Sequence, residues 1–266
     1  LLILLPLGST GLAQERITGF DSWIQIEPGG TITVVETITV VARGQQIKRG
    51  IYRDFPTDYK TPSGKHLRVD FNLLSVRKNG GPEPYHTKQI DNGIRIYIGS
   101  ENVFLSPGTY NYTLTYRTDR QIGFFPTYDE LYWNVTGTGW EFPIERATAT
   151  VVLPDGASVL QHSVYTGRQG STVSNAEVTA QAGNEISFQT TAPLNKREGL
   201  TIAVAWAKGF VHEPNLQDKA SYVLRDNLTL VVTGVGLLCL LAYYLVIWFK
   251  VGRDPEPEAI IPRFDP

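Results

Sequence analysis

Of the 266 residues, 42% are hydrophobic and 19% charged, a balance too apolar for a disordered chain and sufficient for one or two folded domains beside any membrane segment. Lysine and arginine total 24 against 26 acidic residues, a formal net charge of -2, so there is no global basic field to draw in nucleic acid. A single cysteine, Cys239, excludes an intramolecular disulfide and any cysteine-rich zinc site, leaving stability to packing.

Methionine is absent, including at position 1, so the sequence is expected to start after its natural initiator, as part of a longer protein. Leu1 to Leu7 is an apolar run followed by the small residues Gly8, Ser9, Gly11 and Ala13, the pattern a signal peptidase reads. Residues 1–13 are therefore expected to be part of a signal peptide, with the mature chain beginning at Gln14.

Downstream the dominant period is two. In Thr31 to Arg43, Ile32, Val34, Ile38 and Val40 share one face and Thr31, Thr33, Thr37 and Thr39 the other, as a half-buried strand requires. Val69, Phe71 and Leu73 repeat the alternation, as do Ile94, Ile96 and Ile98, then Tyr110, Tyr112, Leu114 and Tyr116, and finally Ile186 with Phe188 and Ile202, Val204 and Trp206. Turn signals separate these runs at Pro28-Gly29-Gly30, Asn79-Gly80-Gly81, Asp91-Asn92-Gly93, Ser106-Pro107-Gly108, Pro154-Asp155-Gly156 and Gly183-Asn184. No long amphipathic helical stretch intervenes, which predicts a mainly β fold, an antiparallel β-sandwich followed by one transmembrane α-helix. The pattern breaks around Trp133 to Phe142, giving an expected first β domain over 14–139 and a smaller second one over 140–207, with one continuous two-sheet domain as the alternative.

Residues 208–226 are polar and contain proline, and are expected to form a stalk. From Leu228 to Phe249 there is no formal charge, and a helix of that length spans roughly 33 Å, enough for the hydrocarbon core, so the bilayer is an expected partner through residues 227–249. Basic residues flank both ends evenly, with Lys208, Lys219 and Arg225 before the helix and Lys250, Arg253 and Arg263 after it, so they do not set its direction. The signal peptide does, placing the β region outside the cytoplasm at the cell membrane and residues 250–266 at the start of a cytoplasmic region.

Three stretches carry a family likeness. Lys48-Arg49-Gly50-Ile51-Tyr52-Arg53-Asp54-Phe55-Pro56, Asp129-Glu130-Leu131-Tyr132-Trp133-Asn134-Val135 ahead of Gly137 and Trp140, and Gly252-Arg253-Asp254-Pro255 after the helix resemble, in this order, the DUF2207 family of predicted bacterial membrane proteins. The resemblance covers nearly the whole chain. It implies no catalytic residues, and it implies continuation past Ile260-Ile261-Pro262-Arg263-Phe264-Asp265-Pro266 into a cytoplasmic portion with further membrane helices.

The candidate site residues are Arg49, Tyr52, Arg53, Asp54, Asp129, Tyr132, Trp133 and Trp140. Arg49, Tyr52, Arg53 and Asp54 together offer a donor fork, an aromatic face and an acceptor suited to an anionic or sugar-like ligand. Local or cross-strand pairing of Arg53 and Asp54, with Ile51 and Phe55 in the core, is the competing and more economical assignment, since such ion pairs are commoner than ligand sites. The aromatic cluster Tyr128, Tyr132, Trp133 and Trp140 is either core or a stacking platform for glycan. His66, His86, His162 and His212 are scattered without metal-ligand spacing, adjacent Asp129 and Glu130 point to opposite faces of a strand, and no nucleophile or phosphate-loop motif occurs. Neither a cofactor nor a metal is expected, and the protein is expected not to be an enzyme. The function expected is ligand or partner binding at the cell envelope, to glycan or to protein. A structural component of an envelope complex is the first alternative, and an enzyme acting on envelope polysaccharide through Asp54, Asp129 or Glu130 the second.

Overall fold

The computed structural model describes residues 14–60 and 66–252. The expected signal peptide, the Arg253-Asp254-Pro255 motif and the Ile260 to Pro266 segment lie outside the described residues. The chain forms two units, one ending at Glu213 and the other beginning at Pro214.

The first unit is built of strands. In chain order they are β1 (Arg16–Ile26), β2 (Ile32–Ala42), β3 (Gly50–Pro56), β4 (Asp58–Lys60), β5 (His66–Arg68), β6 (Phe71–Lys78), β7 (Gly81–Pro82), β8 (Tyr85–Ile90) and β9 (Gly93–Gly99). They continue with β10 (Gly108–Thr118), β11 (Ile122–Phe124), β12 (Tyr128–Asn134), β13 (Ala147–Val152), β14 (Val159–Gly167), β15 (Ala176–Ala182), β16 (Glu185–Thr190) and β17 (Gly199–Ala207). One layer is an eight-stranded sheet in the order β15-β16-β13-β1-β2-β10-β6-β7. Facing it are the three strands β3-β9-β8 and the four strands β11-β12-β17-β14, while β4 and β5 form a separate pair.

The expected alternation is what closes this sandwich. β2 buries Ile32, Val34, Ile38 and Val40 and leaves its threonines half-exposed. From β10 come Tyr112, Leu114 and Tyr116, and from β17 Ile202, Val204 and Trp206, all buried. Each large side chain removed from water in this way contributes about 1.5–3 kcal/mol. Phe55 bridges the layers, its ring 5.2 Å from Tyr116 and 6.0 Å from Trp133, and Phe20 meets Trp140 at 6.2 Å. The Asn79-Gly80 turn between β6 and β7 has φ of 50° and 84°, the pair of positive values a two-residue hairpin with type I′ geometry demands.

The proposed boundary near residue 140 does not divide the strands. β13 from the expected second half pairs in parallel with β1, Phe20 opposite Ala147 and Gln25 opposite Val152, and β12 pairs with β17. Pairing across residue 140 places the strands on either side of it within the one compact unit that ends at Glu213.

The second unit holds α1 (Leu216–Asp226) and α2 (Leu228–Lys250). Within the expected stalk, α1 starts on a capping box: the Asn215 side chain accepts from the backbone N–H of Gln217 and Asp218, and the Asp218 carboxylate accepts from the Asn215 N–H. α2 has a mean hydropathy of 2.5 over its most apolar stretch and buries none of it inside the protein. A long helix apolar on all sides satisfies its backbone internally and gives its side chains to lipid.

Candidate functional site

Two charged residues occupy positions that strand parity assigns to the core. Glu36 falls on the buried face of β2 between Val34 and Ile38, and Arg53 on that of β3 between Ile51 and Phe55. They meet across the layers as a fork, Arg53 Nε donating to Glu36 Oε2 at 2.9 Å and Nη2 to Oε1 at 2.8 Å, with side-chain exposures of 6% and 0%. Tyr116 donates its hydroxyl to the same Oε1 at 2.7 Å. Arg53 also donates to the carbonyls of Asp54 at 2.9 Å and Val135 at 3.2 Å. Burial works against the Arg53 cation, but Glu36 outweighs it and raises its pKa; burial, with Glu36 alongside, pushes the Tyr116 phenol well above its usual value. The guanidinium stays charged and the phenol stays a donor.

The next residue along β3 points the other way and finds its partner on the neighbouring strand. Asp54 lies opposite Arg95 of β9, which donates from Nε to Oδ1 at 2.6 Å and from Nη2 to Oδ2 at 2.8 Å. The Arg95 guanidinium also lies 4.2 Å from the centre of the Tyr52 ring, and its bond to Asp54 raises its pKa.

Above these pairs opens a cleft of about 920 Å³. Tyr52, Asp54 and Phe55 of β3, Tyr132 and Trp133 of β12, and Tyr165 at the end of β14 supply much of its lining. Asn92, Gln121, Asn134 and Gln169 add amides, and the loops around Gly137–Trp140 and Gly167–Thr172 close one side. Glycine lets these loops approach: a Cβ on Gly137, where φ is +72°, would lie 2.7 Å from Arg53 Nη1, and one on Gly199 would lie 2.7 Å from the Gly137 carbonyl oxygen. Trp140 is fixed from below by donating its indole N–H to the Thr136 carbonyl at 2.7 Å.

Six of the eight sequence candidates, Tyr52, Arg53, Asp54, Tyr132, Trp133 and Trp140, therefore line one cleft. The other two lie elsewhere. Arg49 packs its guanidinium 4.2 Å from the ring centre of Phe104. Asp129 is buried on the inner face of β12, with Oδ1 accepting from Lys208 Nζ at 2.8 Å and Oδ2 lacking a partner, while its neighbour Glu130 is half-exposed on the opposite face. Residues passed over in the sequence include Glu36, Arg95, Tyr116, Tyr165 and Arg168. For Glu36 a signal existed, since a carboxylate in register with an apolar strand face requires a buried cation. Among the described residues no group of three His, Cys, Asp or Glu side chains is placed to hold a metal ion.

A family model described as the N-terminal domain of a predicted membrane protein (DUF2207) matches residues 16–206. The chain is 26% identical over 263 residues to the Uncharacterized protein YciQ of Escherichia coli (strain K12), covering 95% of this chain and 41% of that protein. It thus spans well under half the length of this relative. Among solved structures, yeast LTA4 hydrolase in complex with bestatin has a TM-score of 0.46 at 10% identity, covering 71% of this chain and 28% of the hydrolase. The M1 zinc metallopeptidase from Deinococcus radiodurans has a TM-score of 0.40 at 14% identity, covering 71% of this chain and 42% of the peptidase. With α2 as its apolar anchor, the chain is a membrane-attached β-domain protein whose N-terminal domain lies outside the cytoplasm.

Proposed function

The chain belongs to the DUF2207 family of predicted membrane proteins, and from that premise we propose that its β unit is a non-catalytic binding module that takes a glycan chain of the cell envelope in the cleft. The observation that carries this is the cleft's lining, which combines the exposed Tyr132 (60%) and the half-buried Tyr52 and Tyr165 with side-chain amides. Flat aromatic faces stack on the apolar faces of sugar rings and amides match their hydroxyls, a combination suited to a polar ligand with planar apolar patches.

The carboxylates support binding over catalysis. Glycoside hydrolysis uses two carboxyl groups free to exchange protons across a scissile bond. In this cleft Asp54 is locked in a fork with Arg95, and Asp58 pairs with Arg68 at 3.3 Å. Asp129 is tied to Lys208 away from the cleft.

The test is calorimetric titration of the full chain, held in lipid nanodiscs, with a neutral β-1,4-linked N-acetylglucosamine hexamer and with wall glycan strands. Binding is expected, weakened roughly five- to tenfold by Tyr132→Ala through loss of one stacking contact. Absence of binding to both, or binding indifferent to Tyr132→Ala and Tyr52→Ala alike, would remove the cleft as the site.

A further inference from the structure

We infer that the cleft selects anionic over neutral sugar chains, with Arg168 as the residue that reads the negative charge; this rests on the glycan-binding reading above. Among the described residues four charged side chains line the cleft, Arg53, Asp54, Asp58 and Arg168, and three of them are already in ion pairs, with Glu36, Arg95 and Arg68 respectively. Pairing cancels their charge within the protein and occupies the donors that a ligand would need. Arg168 is the exception. It is exposed at the lining, and among the described residues its guanidinium has neither an ion pair nor a hydrogen bond. Of the four, it alone brings an uncompensated charge to the cleft.

The backbone beneath Arg168 is held in place. The chain turns back after β14 with Ser171 N–H donating to the Arg168 carbonyl at 2.9 Å and Thr166 N–H donating to the Val173 carbonyl at 2.7 Å. The Thr166 hydroxyl accepts from the Asn175 N–H at 2.9 Å. Gly167 sits at φ +111°, and a Cβ there would lie 2.8 Å from Ser171 Oγ, so the turn is closed as tightly as a glycine allows. The guanidinium thus projects from a fixed point three residues beyond Tyr165, whose ring lines the same cleft. A sugar stacked on the tyrosines would bring its substituents within reach of a planar donor fork that suits carboxylate or phosphate oxygens.

An exposed ion pair of this kind is worth up to about fivefold in affinity. The experiment measures a ratio of dissociation constants with the full chain in nanodiscs. One probe is the neutral N-acetylglucosamine hexamer; the other is a strand of alternating N-acetylglucosamine and N-acetylmuramic acid, which adds lactyl carboxylates to the same backbone. The acidic strand is expected to bind roughly three- to fivefold tighter at low salt, with the ratio falling toward one in Arg168→Gln, largely kept in Arg168→Lys, and reduced at about 0.5 M salt by screening. A full ratio surviving in Arg168→Gln, or no ratio in the wild type while Tyr132→Ala still weakens both probes, overturns charge selection and leaves the cleft as a neutral-sugar site. If neither probe binds, the cleft reading fails first and charge selection with it.

Discussion

Replacing Arg53 by Met separates the two roles that its sequence context offered. Among the described residues it is the one cation paired with Glu36, whose side chain is fully buried, and the substitution leaves that carboxylate with the Tyr116 hydroxyl as its remaining side-chain partner there. Removing one member of such a pair typically costs about 3–5 kcal/mol, because the remaining charge stays buried without compensation. The carbonyls of Val135 and Asp54 lose a donor as well. A loss of about 4 kcal/mol is expected for Arg53→Met and a similar one for Glu36→Leu. The double variant replaces both charges by apolar groups of comparable size and orphans only the Tyr116 hydroxyl and the two carbonyls, so it is expected to lose about 2 kcal/mol rather than the sum of the singles. Urea unfolding of the full chain in micelles, followed by emission from the buried Trp133, Trp140 and Trp206, reports the β unit. Additive losses in the double variant, or a loss under about 1 kcal/mol for Arg53→Met, would refute the view that this pair is a strut between the layers.

Three further substitutions probe polar contacts outside the cleft. Glu15, 4% exposed, accepts from the backbone N–H groups of Arg43, Gln45, Gln46 and Ile47 at 2.7–3.1 Å; burial raises its pKa, but these four bonds together win and hold it below the usual 4.5. A depressed carboxyl stabilises the fold above about pH 4.5 and loses that contribution as pH falls through its folded value, so Glu15→Gln should lower the urea midpoint at pH 7 and flatten its decline between pH 5 and pH 3. Lys208→Met strips the buried Asp129 of the one ion-pair partner it has among the described residues, whereas Asp129→Asn leaves behind only the partly exposed Lys208, which keeps Glu213 at 3.0 Å, so the lysine variant should show the lower midpoint; the reverse order would mean that Asp129 is stabilised by something other than Lys208.

β2, and β10 from Tyr112 onward, were legible because buried positions alternate there with more exposed ones; β17 was legible from its large apolar residues at every second position, although Ala203 and Ala205 between them are buried as well; and α2 was legible because length and composition suffice for a membrane helix. Alternation states which way a side chain faces but not which strand lies alongside, and that is why the parallel pairing of β1 with β13 was out of reach. The same limit hid Arg95 and Arg168. Nothing local to β9 marks Arg95 as the partner of Asp54, forty-one residues earlier in the chain, and Arg168 gains meaning only once its neighbours in the cleft prove to be paired. Arg53 and Asp54 could be singled out as a motif, yet their adjacency on a strand means they face opposite ways and serve different partners, one inside the sandwich and one at the cleft. The aromatic cluster divides in the same manner: Trp133 and Trp140 are buried, Tyr132 is open to solvent.

The position of β17 in its sheet bears on how this protein is made. The last strand of the unit is an inner one, flanked by β12 on one side and β14 on the other. A polypeptide exported from its N-terminus therefore carries β12 and β14 across the membrane with no middle strand to join them, and only the stretch from Lys208 to Asn227 separates the end of β17 from the anchor helix. Such long-range pairing is slow to form and leaves unpaired edges exposed while it waits. Completion of this layer therefore waits for the strand nearest the anchor helix, and a truncation before Gly199 would leave β12 and β14 without the strand that joins them.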